Sequence, residues 1–198
     1  AGEVNYYEIN LRRMSGDRAA EEWPALATRR LLSWGFNTIG NWSSAEVFRL
    51  RRVPYTVAIH YGGLPSLPGS SCPDYFDPKF PEIVDRAVAD ATREWRDDPW
   101  CLGYFVDNEI GWPGNLGRDK LTDLAERYFS TVREAMKRHA PHQLYLGCRF
   151  SWAPRPVVDV AARYCDVVSF NIYQAGLVPA AWGFVQTLGR PALVGEFH

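Results

Sequence analysis

Six short apolar runs, each closing on or beside a polar residue and each separated from the next by a segment of helical period, constrain this chain more than any other feature. The runs are residues 35–42, 54–61, 101–109, 144–150, 166–173 and 191–196. Between them, Trp23, Ala27, Leu31 and Trp34 recur at helical spacing, with Pro24 fitting a first turn near Trp23 and Gly35 a stop. Ser43 and Glu46 form a capping box that opens a short helix through Arg52. Pro81 starts the next helix, whose apolar face is Val84, Ala87, Val88, Ala91 and Trp95. Leu121, Ala125, Tyr128, Val132 and Ala135 mark a long helix. Shorter helices are predicted over 156–164 and 179–188, and residues 62–78 read as a Gly/Pro/Ser-rich loop.

Strands that alternate with helices argue a parallel sheet joined by right-handed crossovers. An open doubly wound sheet and a (β/α)8 barrel share that pattern. No G-x-G-x-x-G or P-loop follows any strand, which weighs against a nucleotide-binding open sheet. Polar residues at the run ends favour the barrel: Asn41, His60, Asn108 with Glu109, Arg149, Tyr173 and Glu196. Six strands do not close an eight-stranded barrel. Residues 5–10 read as a loop and the chain ends at a strand tip, so the expectation is a partial α/β TIM barrel. About six of its eight strands are present, the first and last are missing, and residues 1–198 form a single catalytic domain.

Two of these ends carry glutamates. Glu109 closes CLGYFVDNE and Glu196 closes PALVGE. An unpaired carboxylate at the end of a buried strand is costly. Two that meet at the C-terminal face of a barrel are the minimal equipment of a glycosidase: a proton donor for the leaving oxygen and a carboxylate on the other face of the sugar. Asn108 is placed to bond the hydroxyl next to the anomeric carbon, and Tyr173 to donate to Glu196. Arg149 pairs with a carboxylate, contacts substrate, or forms a structural ion pair. His60 is a ligand contact or a satisfied structural residue. Trp112 and Trp152, with Trp42 as an alternative, follow strand ends where a ring can stack on a sugar face or pack in a loop. Asp107, pointing away from Asn108, reads as structural.

The net charge of −1 leaves no electrostatic footprint for nucleic acid, and no apolar run reaches membrane-spanning length. The cysteines at 72, 101, 148 and 165 lack the spacing of a zinc or redox motif and read as buried small hydrophobes. His60 and His198 are the histidines at strand ends. Without an H-x-H or H-E-x-x-H pattern they make a metal site a weaker reading, and no cofactor is expected.

The segments GFNTIGNW (35–42), GYFVDNE (103–109), YLGCRF (145–150), VSFNIY (168–173) and GEFH (195–198) resemble glycoside hydrolase family 50, the β-agarase family of the retaining (β/α)8 clan. The likeness runs from Asn5 to His198. It implies that Glu109 corresponds to the acid/base and Glu196 to the nucleophile. It also implies an oligo- or polysaccharide substrate cut at β-1,4 links between D-galactose and 3,6-anhydro-L-galactose, and an extracellular or periplasmic setting. The short loop from Gly111 to Arg118 departs from the family pattern. Competing readings are a β-galactosidase-like or other β-glycan hydrolase of the same clan, a non-catalytic carbohydrate-binding barrel or inactive fragment, and a barrel metallohydrolase.

Overall fold

The computed structural model describes residues 5–197. The chain forms two compact units that divide after Tyr55.

In the first unit the segment expected as a loop over residues 5–10 is helical from Tyr6. Asn5 caps helix α1 (Tyr6–Ser15) by accepting from the Tyr7 and Glu8 amides, both at 3.1 Å. Glu8 pairs with Arg12 one turn on. The paired tyrosines hide this start from a pattern reading, because aromatic residues favour strands. A short 3-10 turn leads into α2 (Ala19–Ser33), which begins earlier than Trp23 and so takes Pro24 inside. Helix α3 spans Ala45–Phe48, with Ser44 rather than Ser43 at its N-cap, bonded to the Glu46 carboxylate. The strand expected over 35–42 reduces to one parallel bridge, Ile39 to Tyr55. Left-handed backbone at Gly35 and Trp42 (φ 83° and 65°) interrupts the extension on both sides.

The second unit carries the strand and helix alternation. Its elements are β1 (Tyr55–Ile59, starting at the boundary), α4 (Phe80–Thr92), β2 (Cys101–Val106), α5 (Arg118–His139), β3 (Leu144–Tyr145), α6 (Arg155–Tyr164), β4 (Val168–Ile172), α7 (Pro179–Trp182) and β5 (Ala192–Phe197). The sheets run β1-β2-β3 and β4-β5, and a parallel bridge from Phe150 to Phe170 continues the order. The pairs β2/β3 and β4/β5 are parallel. Each strand therefore lies beside the next in sequence, with no reversal of order among the described residues.

Burial follows the sequence periods. Helix α4 buries Val84 and Val88, α5 buries Leu124, Ala125, Tyr128, Phe129 and Val132, and α6 buries Val157, Val160 and Ala161. Helix α5 packs on both α4 and α6. Gly103 lets β2 and β3 meet, since a Cβ there would fall 2.3 Å from the Leu144 carbonyl oxygen. The four cysteines are buried and unpaired by disulfides. No described helix is long and apolar enough to cross a membrane.

The run 144–150 is regular only over Leu144–Tyr145. Beyond it the backbone still pairs: the Leu146 amide donates to the Tyr104 carbonyl at 2.8 Å, and the Val106 amide to the Gly147 carbonyl at 3.0 Å. Left-handed turns at Gly147 and Arg149 (φ 78° and 52°) break the pleat.

Candidate active site

The site is built where β2, the 144–150 segment, β4 and β5 end. After Val106 the chain turns through Asp107-Asn108-Glu109, with left-handed backbone at Asp107 and Glu109 (φ 61° and 53°). Non-glycine residues adopt this conformation at some cost, and surrounding bonds must hold it. Here the Asp107 amide donates to the Ile59 carbonyl at 2.9 Å and the Glu109 amide to the Cys148 carbonyl at 3.0 Å. Asp107 points into the interior, as expected from its neighbour's direction. The Tyr128 hydroxyl donates to its Oδ2 at 3.0 Å, and the Tyr61 phenol lies near its carboxylate. Burial raises the Asp107 pKa to about 6 against the opposing pull of the two phenols.

Arg149 is 1% exposed and holds the centre of the cluster. Its Nε and Nη2 both donate to Asn108 Oδ1, at 3.0 and 2.8 Å, and Nη2 lies 3.4 Å from Glu196 Oε2. Its backbone amide is tied to the Ser169 hydroxyl at 2.9 Å, and its guanidinium lies 5.6 Å from the Phe105 ring centroid. A buried guanidinium needs this much satisfaction to be tolerated.

Asn171 joins the two glutamates. Its Nδ2 donates to Glu109 Oε1 at 2.6 Å and to Glu196 Oε2 at 2.7 Å, with a longer contact to Asn108 Oδ1. Sequence reasoning missed this residue and gave the bonding role on that strand to Tyr173. The signal was present in NIY: residues two apart on a strand share a face. Tyr173, more exposed, hydrogen-bonds Glu196. Its pKa is raised by desolvation first, then by that bond and by the charges of Glu196 and Glu109. Arg149 and Tyr173 together set Glu196 among donors and positive charge. Glu109 shares with it only the Asn171 amide among the bonds described here.

His60, at the end of β1, has its pKa lowered by desolvation and then by the Arg149 charge. Both effects favour a neutral imidazole. Trp152 is 60% exposed and its ring would lie 3.7 Å from a Cβ at Gly114. Trp112 corrects the expectation of a stacking platform. It is 3% exposed, and its ring packs on Phe129, Tyr75 and Tyr128. The Trp112 amide donates to the Ile110 carbonyl at 2.9 Å, a tight turn that sends the indole inward onto α5. Asn41 and Trp42 belong to the first unit, where Asn41 is half-buried in a turn and Trp42 is exposed. His198 lies outside the described residues. No three described His, Cys, Asp or Glu side chains converge as a metal-binding group.

An α/β chain with a carboxylate pair and a buried arginine at its strand ends defines the class. Within it, this chain is similar to members of glycoside hydrolase family 50. It is 28% identical to beta-agarase B of Vibrio sp. (strain JT0107), over all of this chain and 30% of that protein. Among solved structures it is 30% identical to the agarase AgWH50C, at a TM-score of 0.89, over 98% of this chain and 38% of the other. For PfGH50B the identity is 26% and the TM-score 0.90, over 98% and 40%. The chain thus spans about a third of the length of the curated relatives it matches. No family model matches it.

Proposed function

We propose that this chain carries the catalytic centre of a retaining β-agarase-type glycoside hydrolase, built on part of a (β/α)8 barrel and acting on β-1,4-linked, galactose-containing polysaccharide. The observation that carries the reading is the shared Asn171 amide. Two oxygens bonded to one nitrogen at 2.6 and 2.7 Å are separated by less than the sum of those distances. That gap fits the roughly 5–5.5 Å of retaining enzymes and leaves too little room for the water of an inverting one. The resemblance to named agarases supports the substrate class, and the sequential order of neighbouring strands supports the barrel.

Glu196, paired with Arg149 and hydrogen-bonded by Tyr173, attacks the anomeric carbon. Glu109 gives its proton to the departing glycosidic oxygen, and a glycosyl ester forms on Glu196. Glu109 then takes a proton from water, the resulting hydroxide attacks the anomeric carbon, and Glu196 leaves as the carboxylate. Arg149 fixes the Asn108 carbonyl oxygen, which turns the Asn108 NH2 toward the substrate's 2-hydroxyl. Neutral His60 and the exposed Trp152 complete the binding surface.

The test is the anomeric configuration of the first product from the protein containing this domain, followed by proton NMR during agarose hydrolysis. Retention is expected, and inversion would refute the assignment. In variants, azide distinguishes the two carboxylates. Glu109→Ala should give a β-glycosyl azide and Glu196→Ala an α-glycosyl azide.

A further inference from the structure

We infer that Asp107 is a positioning residue for the acid/base: its side chain, bound by the Tyr128 hydroxyl of α5, locks the left-handed turn that aims Asn108 and Glu109 into the site. This rests on the acid/base role proposed for Glu109 above. Asp107 points into the interior, so it acts through its two neighbours.

Three elements grip this turn. The Asp107 amide donates to the Ile59 carbonyl of β1, and the Glu109 amide to the Cys148 carbonyl. Any residue with an amide proton can make those two bonds. The third grip belongs to a side chain. The Tyr128 hydroxyl lies 3.0 Å from the Val106 carbonyl oxygen and 3.0 Å from Asp107 Oδ2. One phenol thus holds the last residue of β2 and the first residue of the turn together. Tyr128 is fully buried among the rings of Tyr75, Trp112 and Phe129, which makes it a fixed post. Without the Asp107 acceptor, the phenol would hold the strand but not the turn.

The turn needs that hold. The backbone is left-handed at Asp107 and again at Glu109. Aspartate accepts this conformation more readily than glutamate does. Between and after them sit the groups that matter: Asn108 Oδ1 receives Arg149, and Glu109 Oε1 receives Asn171. A backbone that relaxed at 107 would move both. Stability does not account for the carboxyl. The groups that face it besides Tyr128 include Tyr61, Cys72, Tyr75, Tyr145 and Cys148, none of them a cation. Desolvation raises its pKa to about 6, so the ionised group costs the folded state stability at neutral pH. A residue that weakens the fold while anchoring the turn that carries a reacting carboxylate is one that activity retains.

The experiment measures steady-state rates of Asp107→Ala, Asp107→Asn, Tyr128→Phe and the double variant Asp107→Ala with Tyr128→Phe, in the protein containing this domain and below each melting temperature. One substrate is agarose. The other is a dinitrophenyl β-glycoside of an agarose-derived disaccharide, with azide as acceptor. Dinitrophenolate leaves without a proton and azide attacks the glycosyl ester without a base, so this pair bypasses Glu109. On agarose, kcat should fall about 100-fold in Asp107→Ala and about tenfold in Tyr128→Phe, the scale of a misplaced reacting group, with KM little changed. Asp107→Asn, which keeps the acceptor, should stay within about threefold of the unmutated rate. The double variant should lose no more than Asp107→Ala alone, because the two side chains act as one bond. With the activated glycoside and azide, every loss should shrink below about threefold. Tyr128→Phe carries the same test if Asp107→Ala does not fold. Equal losses on both substrates, or no loss on agarose, would overturn the inference. Glu109→Ala, assayed alongside, separates the two readings. If it loses both substrates alike, the acid/base assignment falls and this inference with it.

Discussion

Gly195 lies so close to Arg149 that a Cβ at position 195 would fall 2.9 Å from the arginine Cδ and 3.4 Å from its Cγ. The glycine before Glu196 thus makes the space in which the buried guanidinium reaches Asn108 and the Glu196 carboxylate. Gly195→Ala should displace Arg149 and loosen Glu196. Misplacement of a reacting group by about 1 Å costs on the order of 100-fold in rate. We expect a loss of that order in kcat, with KM little changed, in steady-state hydrolysis by the protein containing this domain.

Asn171→Ala removes the donor that both carboxylates share. The two carboxyl groups then face each other with no amide between them, and their spacing is no longer set. Turnover should fall by roughly 10- to 100-fold, as for other positioning groups. A kcat loss that exceeds the KM change by less than twofold would show that Asn171 only packs.

Asp107 gives a pH signature. In the folded chain it holds its proton up to about pH 6, against the ordinary value of 3.8. Between these values the folded state binds more protons than the unfolded one, so this group's contribution to stability is largest at low pH. It declines as pH rises through that window, by an amount on the order of 3 kcal/mol. Asp107→Asn keeps an acceptor for the Tyr128 hydroxyl and removes the charge. It should raise the melting temperature at pH 8 and change it little at pH 4. Thermal melts of both proteins across that range check the slope.

Gly103→Ala probes the β2/β3 approach. The added methyl meets the Leu144 carbonyl, a backbone atom that moves only if the strands part. A destabilisation of about 1–3 kcal/mol is expected, the scale of overpacking. Urea unfolding measures it, and an unchanged midpoint would mean that the strands separate freely.

Much of the frame was legible in the chain. Helical spacing located α4, α5 and α6, and short apolar runs located β1, β2, β4 and β5. These signals survive because burial of one face repeats with a fixed period. Glu109 and Glu196 stood out because each closes a short apolar run, where the pattern gives a carboxylate no packing role; in the structure β2 is mostly buried while β5 is largely exposed. Asn5 and its cap were misread, because the two tyrosines that follow favour strands locally while the capped helix wins in context.

What the sequence determined alone was the alternation of strands and helices in the second unit and the place of Glu109 and Glu196 at the close of two apolar runs. Tertiary structure decided how those carboxylates are held. The left-handed turns at Asp107, Glu109 and Arg149 fall on residues that carry no glycine signal, because bonds from distant segments impose them. The Asn171 bridge, the Arg149 clasp on Asn108 and the inward turn of Trp112 are likewise contacts between segments far apart in the chain. Period and propensity report only on neighbours along the backbone. Which side chains converge depends on how the strands lie side by side and where each pleat breaks.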